Sequence, residues 1–329
     1  MNTCELHDLM LPTLNDIESA ARVVYAVMPP TPQYCWPLLC ERLGTEVWVK
    51  HENHTPLGAF KIRGGLVYFD ALVRDRSVQG VITATRGNHG QSVGFAARRH
   101  GIPAKIVVPF GNSVEKNAAM RAQGVELIEH GEEFQTAREH AEKLARELSL
   151  HMVPSFHDKL MTGVATYSLE FLRAVPDLDV VYVPIGMGSG LCGMVAAREA
   201  LGRKVEIIGV VSAQARAYAE SFANRRPMEA PVTTRLADGM ACRSPDPQAL
   251  EIMWRHVARM VEVTDDDVAQ AMGMLFERTH NVAEGAGAAS LAAALQERSR
   301  LAGRKVGIVL SGGNVDRNVF GAVLNESWE

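Results

Sequence analysis

The sequence predicts an α/β fold of two lobes, each a mainly parallel twisted sheet covered by helices. Short apolar runs that are typical of strands alternate with helical segments, which is the pattern of a parallel sheet covered by helices. The alternation comes in two series, which meet near residues 151–154. The chain has 329 residues, of which 47% are hydrophobic, enough for two domains of ordinary size.

The first series begins with a helix over residues 15–27, where apolar residues have helical spacing and a proline cluster from Pro29 ends the pattern. Residues 46–50 alternate like a strand and lead through a turn to a helix that begins near Lys61. Further strands are predicted over 80–84, 104–109 and 125–129, and further helices over 91–100, 113–123 and 134–148.

The second series gives strands over 180–185, 205–211 and 306–310 and helices over 166–174, 191–201, 268–279 and 286–298. Thr264 and Asp267 predict an N-cap pair before the third of these helices. Residues 212–250, richer in Pro, Arg and Asp, are predicted to be irregular. We expect a smaller lobe over 78–153 and a larger one over 1–77 and 154–329, with the ligand in a cleft at the strand ends.

Composition and charge favour a small-molecule ligand. The net charge of -4 and the pI near 6.3 argue against nucleic acid or an acidic membrane surface as principal partner. The N-terminus lacks a basic region followed by an apolar core, and no apolar run approaches the roughly 18 residues of a membrane span, so we expect neither export nor anchoring. Five cysteines without CxxC spacing argue against a disulfide framework and structural zinc, and favour a reducing cytoplasm.

Lys61 is the first candidate for chemistry. It lies just behind a Pro–Gly turn, between Phe60 and Ile62, at the predicted start of a helix. Burial and the positive end of a helix both disfavour the ammonium form, so such a lysine can act as an amine nucleophile, as Schiff-base chemistry requires. The alternative is a surface lysine beside a turn.

A glycine-rich loop is the second candidate. It follows a buried strand and precedes a helix, so its N–H groups and the helix N-terminus can receive an anion, to which Ser189 adds a hydroxyl. The loop also matches part of a dinucleotide motif, but that motif needs an acid at the end of the next strand, where Val211 stands. A phosphate site is therefore favoured over a dinucleotide site. The loop consists of Gly186, Met187, Gly188, Ser189 and Gly190.

Three further segments lie next to predicted strands or helices. The loop of Thr85, Arg86, Gly87, Asn88 and His89 offers groups for a carboxylate or a ring hydroxyl, with a plain turn as the alternative. Ser311 follows the last strand and is either a cleft hydroxyl or part of a turn. Glu284 precedes a helix of small residues and is either part of the site or a solvated capping acid. A lysine, an anion site, an Asn that faces a ring and a hydroxyl at a strand end are together what pyridoxal phosphate requires.

With these residues in place, the chain resembles the fold type II pyridoxal-phosphate enzymes, which share the fold of the tryptophan synthase β chain. Within them it is most similar to the serine/threonine dehydratase group, which also contains serine racemase and threo-3-hydroxyaspartate dehydratase. The resemblance covers about residues 32–320 and rests on six motifs in the order and spacing of the family. These are G-A-F-K-I-R-G-G, R-G-N-H-G-Q, V-P-I-G-M-G-S-G-L, A-D-G-M, E-G-A-G and L-S-G-G-N-V-D.

The resemblance implies roles for the candidate residues. Lys61 is implied to bind the cofactor covalently, with Phe60 packed beside the ring, Asn88 at the phenolic oxygen and Ser311 at the pyridine nitrogen. A serine there leaves that nitrogen largely unprotonated, which favours elimination. The phosphate is expected at the loop from Gly186 to Gly190, Glu284 is expected among the cofactor-binding residues, and the substrate is expected at Thr85, Arg86, Gly87, Asn88 and His89.

The implied activity is β-eliminating dehydration of a 3-hydroxy amino acid to a 2-keto acid and ammonia, in a cytoplasmic homodimer. Threonine, serine, hydroxyaspartate, phenylserine and a hydroxyectoine-derived amino acid all remain open as substrates. An amino-acid racemase of the same family is one alternative, and a nucleotide-binding sensor protein is another. The chain ends soon after the last motif, so a C-terminal regulatory domain is not expected.

Two departures from the family pattern are informative. Metal-binding members carry a Glu and, six positions later, an Asp where this chain has Val211 and Ala217, so no divalent-metal site is expected. Racemases carry a second acid/base serine where this chain has Arg86, which argues against proton exchange on both faces. Arg86 is expected to bind an acidic group, to face solvent or to pair with an acid such as Glu284.

Overall fold

The computed structural model describes residues 11–328 and confirms the α/β fold class. Cys4 and the N-terminal segment without a leader pattern lie outside the described residues. The strands are β1 Gln33–Cys35, β2 Val47–His51, β3 Val81–Ala84, β4 Ala104–Val108, β5 Glu126–Glu129, β6 His151–Met152, β7 Val180–Pro184, β8 Glu206–Ser212, β9 Arg259–Val263 and β10 Val306–Leu310.

Helices cover the sheets. The α-helices are α1 Leu14–Tyr25, α2 Pro37–Leu43, α3 Lys61–Asp75, α4 Asn88–Arg99, α5 Val114–Ala122, α6 Phe134–Glu147, α7 Asp158–Ala174, α8 Ser189–Ala200, α9 Ala217–Asn224, α10 Pro247–His256, α11 Asp265–Thr279, α12 Gly285–Gln296 and α13 Arg317–Leu324. Single 3₁₀ turns lie at Glu52–His54, Asp238–Met240 and Arg298–Arg300. Among the described residues, no helix has the length and hydrophobicity needed to cross a membrane.

The strands form two sheets. The larger has the order β1-β2-β10-β7-β8-β9 and is parallel except for β1, which pairs antiparallel with β2. The smaller has the order β5-β4-β3-β6 and is parallel throughout. Its strands come from residues 81–152, and the lobe boundaries at 78 and 153 stay a prediction.

The strand register brings the loops after several strands to one edge of the larger sheet. Leu310 at the end of β10 lies opposite His51 at the end of β2, and Ile308 lies opposite Tyr182 of β7. Because parallel strands end on the same side, the turn before Lys61, the loop after β7 and Ser311 all meet there. Apolar side chains pack helices against both faces of the larger sheet. Helices α7, α8 and α10 cover one face, and α11 and α12 cover the other.

The predicted strands agree with the observed ones to within two residues, and the Thr264–Asp267 pair forms a full capping box before α11. The prediction that residues 212–250 are irregular is wrong in part, because α9 and the start of α10 lie there. The sequence does carry a signal for α10: Asp246 caps it through the N–H groups of Gln248 and Ala249, with Pro247 at the first helical position.

Helix α7 begins at Asp158, eight residues before its predicted start at Thr166. Gly163 weakens the helical pattern of that part of the sequence. The structure gives it a packing role, because a Cβ there would lie 2.5 Å from the carbonyl oxygen of Arg63. The backbones of α7 and α3 therefore touch, which only glycine permits. The prediction also missed β1, β6, β9, α2 and α13, which are short or lie at a sheet edge.

Candidate active site

A cleft of about 910 Å³ opens at the strand ends. Every residue that the sequence predicted for the site lines it: Phe60, Lys61, Thr85, Arg86, Gly87, Asn88, His89, Gly186, Met187, Gly188, Ser189, Gly190, Glu284 and Ser311. The cleft wall also includes Lys116 and Asp238, which sequence reasoning did not select. Asp238 lies inside the matched A-D-G-M motif, whereas Lys116 carries no sequence signal. The chemical roles of all these residues stay predictions.

The turn before Lys61 is fixed to the end of β10. The Phe60 N–H donates to the carbonyl oxygen of Ser311 at 3.0 Å, and the Gly313 N–H donates to that of Gly58 at 2.8 Å. Gly58 has a φ of 68°, in the left-handed region that favours glycine, which allows the tight turn. Lys61, the first residue of α3, is thereby held beside Ser311.

The Lys61 amine is available for chemistry. Its Nζ lies 3.1 Å from the Ser189 hydroxyl oxygen and 5.0 Å from the centre of the Phe60 ring. Within residues 11–328, no carboxylate forms an ion pair with it, and burial lowers its pKa from the ordinary 10.5 to about 8. Lys61 therefore loses its proton more readily near physiological pH than an ordinary lysine does, as a nucleophile or a base requires.

Lys116, the other lysine of the cleft wall, is in the opposite electrostatic state. Its Nζ lies 2.7 Å from an Asp238 oxygen and 3.1 Å from a Glu284 oxygen. Burial alone would lower the pKa of Lys116, but the two carboxylates outweigh burial and raise it. Lys116 is therefore a fixed cation, and Lys61 is the better candidate for a nucleophile.

Glu284 is not the solvated capping acid that the sequence left as an alternative. It is only 2% exposed, and its Oε1 accepts a hydrogen bond from Asn88 Nδ2 at 2.5 Å. Burial raises the pKa of Glu284, and Lys116 partly offsets that effect. Asn314 donates in turn to Asn88 Oδ1 at 2.8 Å, so the Asn88 side chain has one orientation. Asn88 keeps one amide hydrogen for a ligand.

The loop between β7 and α8 forms an anion cradle. Gly188 has a φ of 99°, and a Cβ at Gly186 would lie 2.2 Å from the carbonyl oxygen of Gly239, so side chains are excluded from both positions. The first N–H groups of α8 have no partner inside the helix. The hydroxyl of Ser189, which begins α8, lies in the same cradle. Together these groups suit a phosphate at the positive end of the helix.

The segment from Thr85 to His89 lies opposite, at the end of β3. The Gly87 N–H donates to Thr85 Oγ1 at 3.0 Å, while Asn88 and His89 belong to the first turn of α4 rather than to a loop. His89 Nε2 is buried without a partner among the described residues. Burial, reinforced by Lys61, lowers the pKa of His89 to about 3, so its ring is neutral.

These features fit pyridoxal phosphate. The cradle suits a phosphate, and Lys61 offers an amine that no acid of the described part of the chain neutralises. His89 Nε2 is a buried polar atom with no hydrogen-bond partner there, so a ligand group could satisfy it. Ser311, 4% exposed at the end of β10, presents a neutral hydroxyl to the cleft rather than a charge. Nothing in this donor set disagrees with the cofactor that the sequence motifs imply.

The two positions at which the family resemblance implies a metal site in other members carry apolar side chains here. Val211 is buried in β8 and Ala217 begins α9. Within residues 11–328, no group of three or more His, Cys, Asp or Glu side chains could hold a metal ion. Hard cations such as Mg²⁺ and Ca²⁺ need oxygen ligands, which these two side chains lack.

We therefore expect activity and melting temperature to be unchanged by EDTA and by added magnesium. Steady-state rates and thermal melts of the same preparation, before and after chelation, test this expectation. A loss on chelation that magnesium or calcium restores would contradict it.

Comparison with known proteins gives a consistent set of similarities. A model of the family described as pyridoxal-phosphate dependent enzyme matches residues 26–312. The L-threonine ammonia-lyase of Thermotoga maritima is 34% identical over 315 residues, which are 95% of this chain and 78% of that protein. The catabolic L-threonine dehydratase of Staphylococcus aureus is 32% identical over 328 residues, 98% and 95% of the two chains. The structure of maize serine racemase superposes with a TM-score of 0.88 at 27% identity, covering 96% of this chain and 98% of that one.

Proposed function

The chain belongs to the pyridoxal-phosphate-dependent enzymes, in their serine/threonine dehydratase group, and we propose that Lys61 is the catalytic residue of its dehydratase reaction. Its cofactor is pyridoxal phosphate, and its substrate is a small amino acid. The main support for this role of Lys61 is that Lys61 and Lys116, both in the cleft wall, differ in their acid partners. Lys61 faces the anion cradle with no acid partner among residues 11–328, whereas Lys116 is neutralised by two carboxylates.

We assign the cofactor contacts as follows. The cradle from Gly186 to Gly190 holds the phosphate, Lys61 holds the aldehyde carbon, and Asn88 donates its free amide hydrogen to the phenolic oxygen. Phe60 packs beside the ring. Ser311 meets the pyridine nitrogen with a neutral hydroxyl, and Glu284 keeps Asn88 in place through their hydrogen bond.

Bound pyridoxal phosphate withdraws electrons from the substrate Cα, which makes the Cα proton acidic. The chain's own residues then carry the reaction. The substrate amine would first take the place of Lys61 on the cofactor, which frees the Lys61 amine. The freed Nζ would then remove the Cα proton as a general base, for which a pKa of about 8 is well matched to neutral pH. Thr85 and the first turn of α4 hold the α-carboxylate, and the neutral ring of His89 adds a hydrogen-bonding nitrogen without a competing charge. Loss of the β-hydroxyl as water and hydrolysis of the resulting unsaturated amine give the 2-keto acid and ammonia.

Dehydration is favoured over racemisation by the chemistry of Arg86. A racemase needs a second group that gives and takes a proton on the face opposite the lysine. A guanidinium stays protonated in proteins and cannot act as that base. The nucleotide-binding alternative is not supported, because β8 ends at Ser212 and offers no acid for a ribose hydroxyl.

We further propose that the enzyme is a cytoplasmic homodimer that binds neither nucleic acid nor membranes. The net charge of -4 supports the absence of polyanionic partners. Leu38 and Phe276 are exposed apolar side chains on α2 and α11, two helices that contact each other, and such a surface suits burial against a second copy.

A keto-acid assay tests the proposed reaction. The purified holoenzyme is expected to release equimolar 2-keto acid and ammonia from at least one 3-hydroxy amino acid among threonine, serine, hydroxyaspartate and phenylserine, with each stereoisomer supplied separately. Chiral analysis of the residual substrate measures racemisation in the same samples. Inversion at Cα without keto acid would favour the racemase and refute the dehydratase.

A further inference from the structure

Arg86 is a cation of the cleft wall that nothing in residues 11–328 neutralises. Its guanidinium forms no hydrogen bond and no ion pair with any described residue, and its Nε is buried without a partner. In particular, it does not pair with Glu284, whose oxygens face Asn88 and Lys116. A buried guanidinium nitrogen without an acceptor is costly, because burial removes the water that would otherwise satisfy it.

The surroundings of Arg86 do not supply the missing negative charge. Beyond the cleft, Arg86 also lines an adjoining cavity of about 540 Å³ together with Arg138, Arg243 and Glu133. The Glu133 carboxylate is already paired with Arg243 at 3.2 Å, and Arg138 pairs with Glu142 at 2.9 Å. Arg243 also lies 3.7 Å from a Glu229 oxygen, so Arg138 and Arg243 are both paired with acids. Arg86 is left without an acid partner among the described residues, which favours an anionic ligand beside it.

The position of Arg86 along the chain defines which end of a ligand it can reach. It lies between Thr85 and Gly87, inside the segment assigned to the substrate α-carboxylate. A guanidinium binds a carboxylate through two parallel N–H donors, and it does so best where water is excluded. A second carboxylate, on the side chain of the substrate, is the group that suits the Arg86 guanidinium.

We propose that Arg86 binds the distal carboxylate of the substrate and that the preferred substrates are 3-hydroxy amino dicarboxylates. This inference rests on the proposed function of the cleft, and it goes further by naming the class of side chain. Threonine and serine lack the second carboxylate, so with them the Arg86 guanidinium stays unpaired.

The test compares acidic and neutral ligands on three holoenzymes: the native protein, Arg86→Ala and Arg255→Ala. In the native protein, kcat/KM for 3-hydroxyaspartate should exceed that for threonine. Arg86→Ala should raise KM for hydroxyaspartate by roughly 10- to 100-fold and leave threonine turnover within about twofold, since a charged hydrogen bond is lost only with the acidic substrate. Arg255→Ala removes an exposed guanidinium that is paired with Glu251 and lines neither cavity, so both substrates should be unaffected.

Binding without turnover separates this inference from the proposed reaction. L-Aspartate and L-2-aminobutyrate lack a β-hydroxyl, and calorimetry on the holoenzyme gives their dissociation constants. If the native protein binds aspartate more tightly than aminobutyrate and Arg86→Ala abolishes this preference, the inference is supported. That holds even if no hydroxy amino acid is dehydrated, a result that would refute only the proposed reaction. Equal losses on acidic and neutral ligands in Arg86→Ala, or a native preference for aminobutyrate, overturn the inference, because Arg86 then supports the loop or the cofactor.

Discussion

Replacement of Lys61 by alanine is expected to lower kcat by about 10⁴-fold, the upper range for loss of a general base. The variant loses both the base at Cα and the amine that holds the cofactor. Folding should be little affected, because the Lys61 Nζ makes only one described hydrogen bond, to Ser189. Stopped assays of keto acid with each variant at saturating cofactor measure the effect.

Two control variants make this result specific. Lys61→Arg keeps a positive charge but has no neutral amine at physiological pH, so it should be as inactive as Lys61→Ala. Lys159→Ala removes an exposed lysine from α7 and should keep native turnover. Near-native activity of Lys61→Ala would show that another group carries the proton and would remove the basis of the proposed site.

Replacement of Arg63 by methionine is expected to lower the free energy of unfolding by about 3–5 kcal/mol, because it breaks a buried ion network. Arg63 is fully buried two residues after Lys61. Its guanidinium binds both oxygens of Glu52 at 2.7 and 3.0 Å and both oxygens of Glu170 at 2.7 and 3.0 Å. Lys50 adds a third contact to Glu170 at 2.6 Å. Without Arg63, two buried carboxylates share one cation.

The matched control for Arg63 is a pair on the surface. Arg255 and Glu251 form an ion pair at 2.7 Å one turn apart on α10, with half of the Arg255 side chain exposed. Arg255→Ala should cost less than about 1 kcal/mol, as exposed pairs do. Denaturant titration of the holoenzymes measures both values. Equal small losses would mean that α3 does not depend on the buried network.

Much of the site could be predicted because its motifs lie directly after strands. A parallel sheet brings the ends of its strands to one edge, so Lys61 after β2, the glycine loop after β7 and Ser311 after β10 had to meet. Gly186 and Gly188 were informative because the local backbone favours glycine at both positions. A backbone oxygen lies 2.2 Å from the Cβ position of Gly186, and Gly188 has a φ of 99°.

The pairing of charges could not be predicted in the same way. Lys116 contacts Asp238 and Glu284, which lie 122 and 168 positions later in the sequence. No local sequence pattern indicates contacts between residues so far apart. The burial of Glu284 has the same origin, because it depends on how α12 packs against the end of β10. Helix α9 was missed since its short sequence carries few strong signals, and tertiary packing of Tyr218 and Ser221 decides its conformation.

Our proposal for this dehydratase is that Lys61 holds the cofactor. Borohydride reduction of the holoenzyme, followed by proteolysis and mass spectrometry, tests it most directly because reduction makes the lysine–cofactor bond permanent. We expect a single modified peptide, with the added pyridoxyl phosphate mass on Lys61. The same mass on Lys116, or on any lysine other than Lys61, would show that Lys61 does not hold the cofactor.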